Sequence, residues 1–516
     1  MSNEPALIQE EPEQWGPGPW TPIPTRCRFK NPLSKFHVWR NEARCIQCGT
    51  CVEVCPYGVH TKVGKFIRRP KSYLCIGPVC EKNDFFCAAR CPTQALRVGL
   101  HPAYTSLGDY RWTADLLLST WWMAEFGTLP YMDLEYRTGA SGGGFDKLRF
   151  LFPPRARDTK LSHEDISLAI PLNRREDGRL KVELSVPWYG GGMSFGSVSL
   201  NTILSRLRAS VRFDTLMSTG EGGYPEDLYP YDHHVVTQVA TGLFGVREDT
   251  IQRVRMVEFK YAQGAKPGLG GHLLGDKVTP AVARMRESVT GSALFSPFPF
   301  HSVYSVEDHK KHVDWIKEIN PRCLVSVKVS TPTDVDMVAV GSYDAGAHII
   351  HLDGSYGGTG AAPDIAKKNI AMPIEYAVPK VHRFLSEEGI RDRITLIASG
   401  GIRSPWDVAK IIALGADGVC LGTSDMVALE CIRCHHCESG RGCARGIATT
   451  DPELTNLMEL EWATQRIINM YLAWREELVS ILARLGLRSV SELVGRTDLL
   501  VHLDYSDTTG LEGRLG

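Results

Sequence analysis

The chain has no run of about 18 apolar residues, and its opening segment, MSNEPALIQEEPEQWGPGPW, has neither a basic stretch nor an apolar core. A membrane-spanning helix and a secretion signal are therefore not expected, and a cytoplasmic location is. Charge of one sign is not in surplus either: 58 Lys and Arg stand against 59 Asp and Glu, a net of -1. No overall electrostatic argument then favours nucleic acid or an anionic membrane as partner. An early glycine fingerprint followed by an acidic residue, as dinucleotide-binding sheets carry, is also missing. The most apolar short run, Ala114 to Phe126 (ADLLLSTWWMAEF), is too short to span a bilayer and contains Glu125. It reads as a buried or partner-facing helix.

What is present is cysteine: 15 in 516 residues, twelve of them in three tight sets. Clustered thiols without a secretion signal point to metal rather than to disulfides. Cys45, Cys48, Cys51 and Cys55, followed by Pro56, match the C-x2-C-x2-C-x3-C-P run of bacterial ferredoxins, whose fourth cysteine ligates the other cluster. Cys75, Cys80, Cys87 and Cys91, followed by Pro92, end in the same C-x3-C-P after looser spacing. The expected assignment is one 4Fe-4S cluster on Cys45, Cys48, Cys51 and Cys91 and a second on Cys55, Cys75, Cys80 and Cys87. Soft thiolates hold iron in either valence, and short loops let backbone amides donate to sulfur. Structural zinc is the alternative, although three crowded thiolates suit a cluster better than the separated pairs zinc prefers. The third set, Cys431, Cys434, Cys437 and Cys443, allows a 3Fe-4S cluster on Cys431, Cys437 and Cys443, a 4Fe-4S cluster if Cys434 joins, or zinc. His435 and His436 read as exposed bystanders, and Cys323 and Cys420 as small core residues in strands.

The organisation along the chain follows from composition. Residues 1–40, rich in proline and tryptophan, read as an extended arm; 41–100 as a ferredoxin-like domain; and 101–180 as a connector with a flexible glycine loop at Gly139 to Gly144. From 181 to 450, short apolar runs alternate with helix-like stretches, and 451–516 reads as a helical cap, amphipathic over Leu454 to Leu485 and Ser489 to Leu500. Eight runs are candidate strands: Val182–Pro187, Phe213–Met217, Met256–Tyr261, Ala293–Ser296, Leu324–Val329, His348–Leu352, Thr395–Ala398 and Gly418–Leu421. The expected fold class is α/β, a (β/α)8 barrel preceded by a small α+β module with two 4Fe-4S clusters.

Several of these runs end in glycine or small polar residues, as strands that deliver their C-terminal ends to an active site do. Gly190 to Gly192, leading into Met193, Ser194 and Phe195, lets backbone approach a planar ring closely. Ser399-Gly400-Gly401-Ile402 and Gly422-Thr423 follow the last two runs, where such barrels bind phosphate through exposed amides and a helix N-terminus. A phosphorylated cofactor is implied, and beside iron–sulfur clusters FMN is the natural choice. Lys328 lies inside an apolar strand run, where an unpaired ammonium is expensive, so it is expected to meet an anionic group such as the edge of reduced flavin. Lys266 and Arg286 are candidates for a substrate carboxylate, and Glu221 for a proton or an amine.

The ordered set MSFG, TGEGG, AQGAKPG, GGTGA, SGGI and a cysteine set ending in GIAT resembles the FMN domain of glutamate synthases over about 185–450. With the ferredoxin motif ahead of it, the chain is similar to archaeal-type glutamate synthase cores and to an N-methylglutamate synthase subunit. The resemblance implies reduction of 2-iminoglutarate, formed from 2-oxoglutarate and ammonia, to L-glutamate. It places Lys266 and Arg286 on the oxo-acid carboxylates, Glu221 at the reacting end, and Met193, Ser194, Thr219, Gln263, Lys328, Gly400, Gly401, Gly422 and Thr423 around FMN. His272 stands where the bacterial pattern has a substrate-binding glutamine, and Ser355-Tyr356 replaces a His-Asp pair. The start Met1-Ser2-Asn3 lacks the N-terminal cysteine nucleophile of the amidotransferase. The resemblance therefore implies an oligomeric enzyme with a separate glutaminase subunit and a ferredoxin or flavoprotein electron donor. Amine exchange without net redox and a purely electron-transferring subunit are the competing readings.

Overall fold

The computed structural model describes residues 21–29, 33–130, 136, 144–154, 161–296, 300–358, 362–438, 440–507 and 514–515. The glycine loop called a hinge lies outside them except for Gly144, as do most of the N-terminal arm and Thr359, Gly360 and Ala361 of the GGTGA motif.

The cysteine-rich segment is closed by an antiparallel pair, Phe36–Arg40 with Leu96–Leu100. Between them come a five-residue helix, Thr50–Val54, and a hairpin of Lys62–Val63 with Phe66–Ile67. Val38, Val59, Ile67 and Leu96 form its small core together with the cysteines, so thiols supply part of the packing that a segment this short lacks. Helix α1, Ala114–Phe126, follows. It has no polar stripe because it is covered on several sides, Leu116, Leu117 and Trp121 against the third cysteine set and Met123 and Ala124 against the main core.

The centre is a closed, all-parallel barrel of eight strands: β1 Trp188–Gly190, β2 Met217–Ser218, β3 Val235–Ala240, β4 Met256–Lys260, β5 Leu324–Ser330, β6 Ile349–Asp353, β7 Thr395–Ser399 and β8 Gly418–Leu421. Neighbours in sequence pair in space, and β8 returns to β1 with Val419 opposite Trp188. Closure of parallel strands puts every C-terminal end on one face, which is why the glycine motifs converge. Around the barrel, α2 (Leu200–Arg212) follows β1, α3 (Pro280–Arg286) lies in the long β4–β5 connection, and α4 (Pro405–Ala413) and α5 (Thr423–Ala428) follow β7 and β8. The 26-residue α6, Leu460–Leu485, packs on α2 and buries Tyr471 and Trp474 against Trp188 at 5.7 and 6.1 Å between ring centroids.

Four strand expectations change. Glu183–Leu184, within the run expected as the first strand, pairs antiparallel with Ile170–Pro171 outside the barrel, and β1 begins only after Pro187. A proline has no N–H to give to a ladder, so the parallel pairing starts beyond it. The second strand is confined to Met217–Ser218 because Phe213 ends α2 and Asp214 turns the chain at φ 41°. Val235–Ala240 is a barrel strand that was not expected, since Thr237 and Gln238 interrupt its apolar pattern. Leu294–Phe295, expected as the fourth barrel strand, pairs antiparallel with His272–Leu273 in the β4–β5 connection. The helix expected over Ser489 to Leu500 is instead two single turns, Ser491–Leu493 and Thr497–Leu499, separated by Gly495 at φ 74°, which only glycine holds without strain.

Candidate functional site

Two joined cavities open at the C-terminal ends of the strands. The first, of about 610 Å³, is walled by Gly191, Gly192 and Met193 after β1, Gly400, Gly401 and Ile402 after β7, and Gly422 and Thr423 at β8. Lys328, Asp353, Ser399 and Cys420 form its floor, and Gln263 and Trp112 its sides. Gly400 takes φ 94°, and a Cβ there would press on the backbone of Gly354, so the loop after β7 can lie this close to β6 only as glycine. The β1 loop is held by Arg206 of α2, which is buried, pairs with Asp425 at 2.9 Å and donates to the carbonyls of Gly191 at 2.7 Å and Leu421 at 3.2 Å. One guanidinium thus ties the first and last strands together at the cavity's edge.

Beneath the floor runs a buried polar chain. Glu258 of β4 accepts from Gln238 Nε2 at 2.6 Å and Ser326 Oγ at 3.0 Å and lies 2.9 Å from His351 Nδ1. His351 Nε2 lies 2.8 Å from Ser399 Oγ, which donates to Asp353 Oδ1 at 2.6 Å. Lys328 Nζ stands 3.6 Å from the other oxygen of Asp353. Burial alone pushes the Glu258 carboxyl up, but His351, Lys328 and Gln238 overcome it and hold it down at about 2. Asp353 and Glu258 likewise raise the Lys328 ammonium against its burial. The floor therefore keeps its charges, each compensated within the network.

The second cavity, of about 1110 Å³, shares Gly192, Met193, Gln263, Gly358 and Thr423 with the first. It contains Glu221, Lys266, His272 and Arg286, so the structure brings the four candidate catalytic residues together. Lys260, which sequence reasoning did not single out, joins them 3.3 Å from Glu221. Gly271 makes the room, since a Cβ on it would fall on the Glu221 carboxylate. Burial raises the Glu221 carboxyl, yet Lys260, Arg286 and Ser296 together hold it below the usual range. Arg286 donates to Ser194 Oγ at 2.8 Å. Burial, then the neighbouring Lys260, lowers the Lys266 ammonium to about 8. Burial and Lys266 lower His272, which stacks on Phe295, so its imidazole is neutral at pH 7. Thr219 is buried at the end of β2, its hydroxyl on the Gly220 carbonyl, and lines neither cavity.

Cys431, Cys437 and Cys443 open into this second cavity, whereas Cys434 is exposed and does not. His435 and His436 are exposed, with His435 3.1 Å from Asp109. In the N-terminal segment, Cys55, Cys75, Cys80 and Cys87 surround an apolar cavity of about 280 Å³ with Val59, Phe85 and Phe86. Cys48 lies within electrostatic reach of Cys91, Cys51 of Cys45 and Cys48, and Cys87 of Cys75, Cys55, Cys80 and also Cys51. Among the described residues no three His, Cys, Asp or Glu converge to hold a single ion; Cys55, Cys75, Cys80 and Cys87, and Cys431, Cys437 and Cys443, stand around cavity walls instead. Burial and the neighbouring thiols push Cys87 up to about 12, and burial does the same to Cys431, so these thiols ionise when a metal draws off the proton. Amides already face ligand sulfurs: Gly77 N donates to Cys75 and Ala95 N to Cys91, at 3.3 and 3.2 Å. The residues present fit iron–sulfur clusters.

They also fit FMN. Glycine backbone at the strand ends and an ammonium on the floor suit a phosphorylated planar ring. A parallel barrel with such a cavity, opening beside a thiol set and joined to a ferredoxin motif, defines the class of iron–sulfur oxidoreductases. Residues 156–488 match the conserved region in glutamate synthase, and 38–59 match a 4Fe-4S binding domain. The chain belongs to the glutamate synthase family. It is 36% identical over 490 residues to the archaeal-type glutamate synthase [NADPH] of Thermotoga maritima, covering 90% of this chain and 94% of that one. Against the archaeal glutamate synthase [NADPH] of Archaeoglobus fulgidus it is 35% identical over 505 residues, covering 92% and 95%. The glutamate synthase [NADPH] large chain of Azospirillum brasilense matches at 36% identity over 321 residues, 60% of this chain and 21% of that one.

Sequence reasoning missed Lys260, Gln238, Glu258, His351 and Trp112. Glu258 and His351 carried a usable signal, the same one that marked Lys328: an ionisable residue inside an apolar strand. Trp112 carried none, because its segment reaches the barrel only through tertiary packing.

Proposed function

We propose that this chain reduces 2-iminoglutarate, formed from 2-oxoglutarate and ammonia, to L-glutamate, using electrons passed through iron–sulfur clusters to FMN. As a member of its family the chain is a glutamate-forming oxidoreductase. The observation that carries the finer reading is the charge of the second cavity. Lys260, Lys266, Arg286 and Arg433 line it against Glu221 and Glu438, a surplus of two positive charges that matches a dicarboxylate.

In this reading Gly191, Gly192, Met193, Gln263, Gly400, Gly401, Gly422 and Thr423 would hold FMN, and the Lys328 ammonium would offset negative charge on it. Ser194 holds Arg286 in the second cavity, and Thr219 supports the loop after the second strand. When bound, FMN supplies two-electron reduction of the imine carbon, its electrons coming from the clusters. Lys266 and Arg286 bind the carboxylates and fix the carbon chain. Glu221, kept anionic by Lys260, would accept a hydrogen bond from the N–H of the incoming amine nitrogen. His272, uncharged, would offer a hydrogen bond without adding to the cations already lining the site. The thiol grouping supports two 4Fe-4S clusters, on Cys45, Cys48, Cys51 and Cys91 and on Cys55, Cys75, Cys80 and Cys87. Cys431, Cys437 and Cys443 hold a third, three-iron cluster. Ammonia comes from a separate glutaminase subunit, electrons from a donor protein, and the enzyme works in the cytoplasm.

The test is dithionite-driven turnover of the purified chain with 15N-ammonium and 2-oxoglutarate, read by NMR. Labelled glutamate that requires both substrates supports the reading. Its absence from protein with full flavin and iron content overturns it.

A further inference from the structure

We infer that the hairpin face beside Cys48 is the electron entry port and docks an acidic redox protein. The inference rests on the reading that the thiols hold iron–sulfur clusters. Over residues 33–100 there are eleven Lys and Arg against four Asp and Glu, a net of +7 in a chain whose total is -1. The charge is thus concentrated in this segment and offset elsewhere, a local field rather than a general basicity.

The two thiol sets differ in accessibility. In the first set Cys48 is exposed, Cys45 and Cys91 half-buried and Cys51 buried, whereas in the second only Cys55 is half-buried and Cys75, Cys80 and Cys87 are buried. The first set is therefore the one an external donor can approach. The Lys62–Ile67 hairpin lies against that set: Ile67 N donates to Gln47 Oε1 at 2.7 Å, and Lys62 Nζ lies 3.5 Å from the point a Cβ on Gly49 would occupy. Its side chains leave Val63 53% and Phe66 71% exposed, with Ile46 beside Cys45 63% exposed. Lys62, Lys65 and Arg68 are exposed around them. An apolar centre ringed by cations next to an accessible ligand sulfur is a surface for brief, electrostatically steered contact with a negatively charged protein. The transfer itself is one electron lost by the donor's reduced centre and gained by the cluster on this set; no bond or proton changes hands.

The test uses the full chain with its cofactors, an acidic two-cluster ferredoxin as probe donor, and anaerobic stopped-flow bleaching of cluster absorbance, with no 2-oxoglutarate or ammonium present. Failure of the glutamate reading thus leaves the readout intact. The rate constant is expected to fall steeply with added salt, and Lys62→Glu, Lys65→Glu and Arg68→Glu together to lower it about tenfold or more and flatten the salt dependence. Iron content, flavin content and reduction by dithionite are expected to stay unchanged. If the triple variant loses iron, Lys65→Glu alone, at the hairpin tip, carries the comparison. A wild-type rate in the variants, or a rate indifferent to salt, overturns the inference. So does binding to phosphatidylglycerol vesicles that the same changes abolish while the donor rate stays put, which would assign the face to a lipid surface.

Discussion

Lys266 is the side chain whose protonation most directly controls the proposed dicarboxylate site. Burial first, and Lys260 second, lower its ammonium to about 8. Below that pH it is charged and binds an anion; above it the charge is lost. The dissociation constant of 2-oxoglutarate, measured by flavin absorbance titration, is therefore expected to rise as pH passes through about 8. In Lys266→Met that rise is expected to disappear, with affinity at pH 7 weaker by about tenfold or more, the worth of one charge-assisted hydrogen bond. The cysteines of the third set make a second residue-scale prediction. Because Cys434 is exposed and outside the cavity that the other three line, Cys434→Ser is expected to keep the cluster's EPR signal and iron, and Cys437→Ser to lose both. Glu221, Lys266 and His272 could be singled out because glycines flank them and mark close backbone approach, whereas Arg286 has no glycine beside it. Glu258 and His351 stand in otherwise apolar runs, MVEFK and IIHLD, and could have been marked by the same reasoning that marked Lys328.

At the scale of elements, alternation and glycine punctuation revealed an eight-stranded barrel, and five of the eight strands matched the expected runs. β3 escaped because its Gln238 faces the site and pairs with Glu258, so function broke the apolar pattern that marks a strand. Leu294–Phe295 was placed in the barrel for the opposite reason, an apolar run that pairs with His272–Leu273 in the β4–β5 connection. The packing between elements is just as tight at the loop after β4: a Cβ on Gly264 would fall on the backbone carbonyls of Asp353 and Gly354. Backbone cannot move aside as a side chain can, so Gly264→Ala is expected to cost about 3 kcal/mol in denaturant unfolding and to lower flavin content.

Across the whole molecule, the N-terminal arm is tied to the barrel's third cysteine set by one buried carboxylate. Glu430, fully buried, accepts from Arg28 N and Nε at 2.8 and 3.1 Å and pairs with Arg445. Arg466, also buried, lies in the same field. Glu430→Ala leaves these guanidiniums facing one another, and a loss of about 3–5 kcal/mol in stability is expected, with iron released from the adjacent Cys431 loop as the companion readout. The arm's part in this tie could not be read from sequence, because Arg28 and Glu430 are 402 residues apart and salt-bridge partners carry no local pattern. The same holds for Trp112, which brings the connector into the first cavity. The central claim, that the two cavities together reduce an imine of 2-oxoglutarate, is tested most directly by a single turnover. The chain is reduced anaerobically with a stoichiometric amount of dithionite, and flavin absorbance is followed after adding 2-oxoglutarate, ammonium or both. Reoxidation only when both are present, with one glutamate formed per two electrons, is the predicted result. Flavin that stays reduced with both substrates, in protein with full flavin and iron content, would contradict the account.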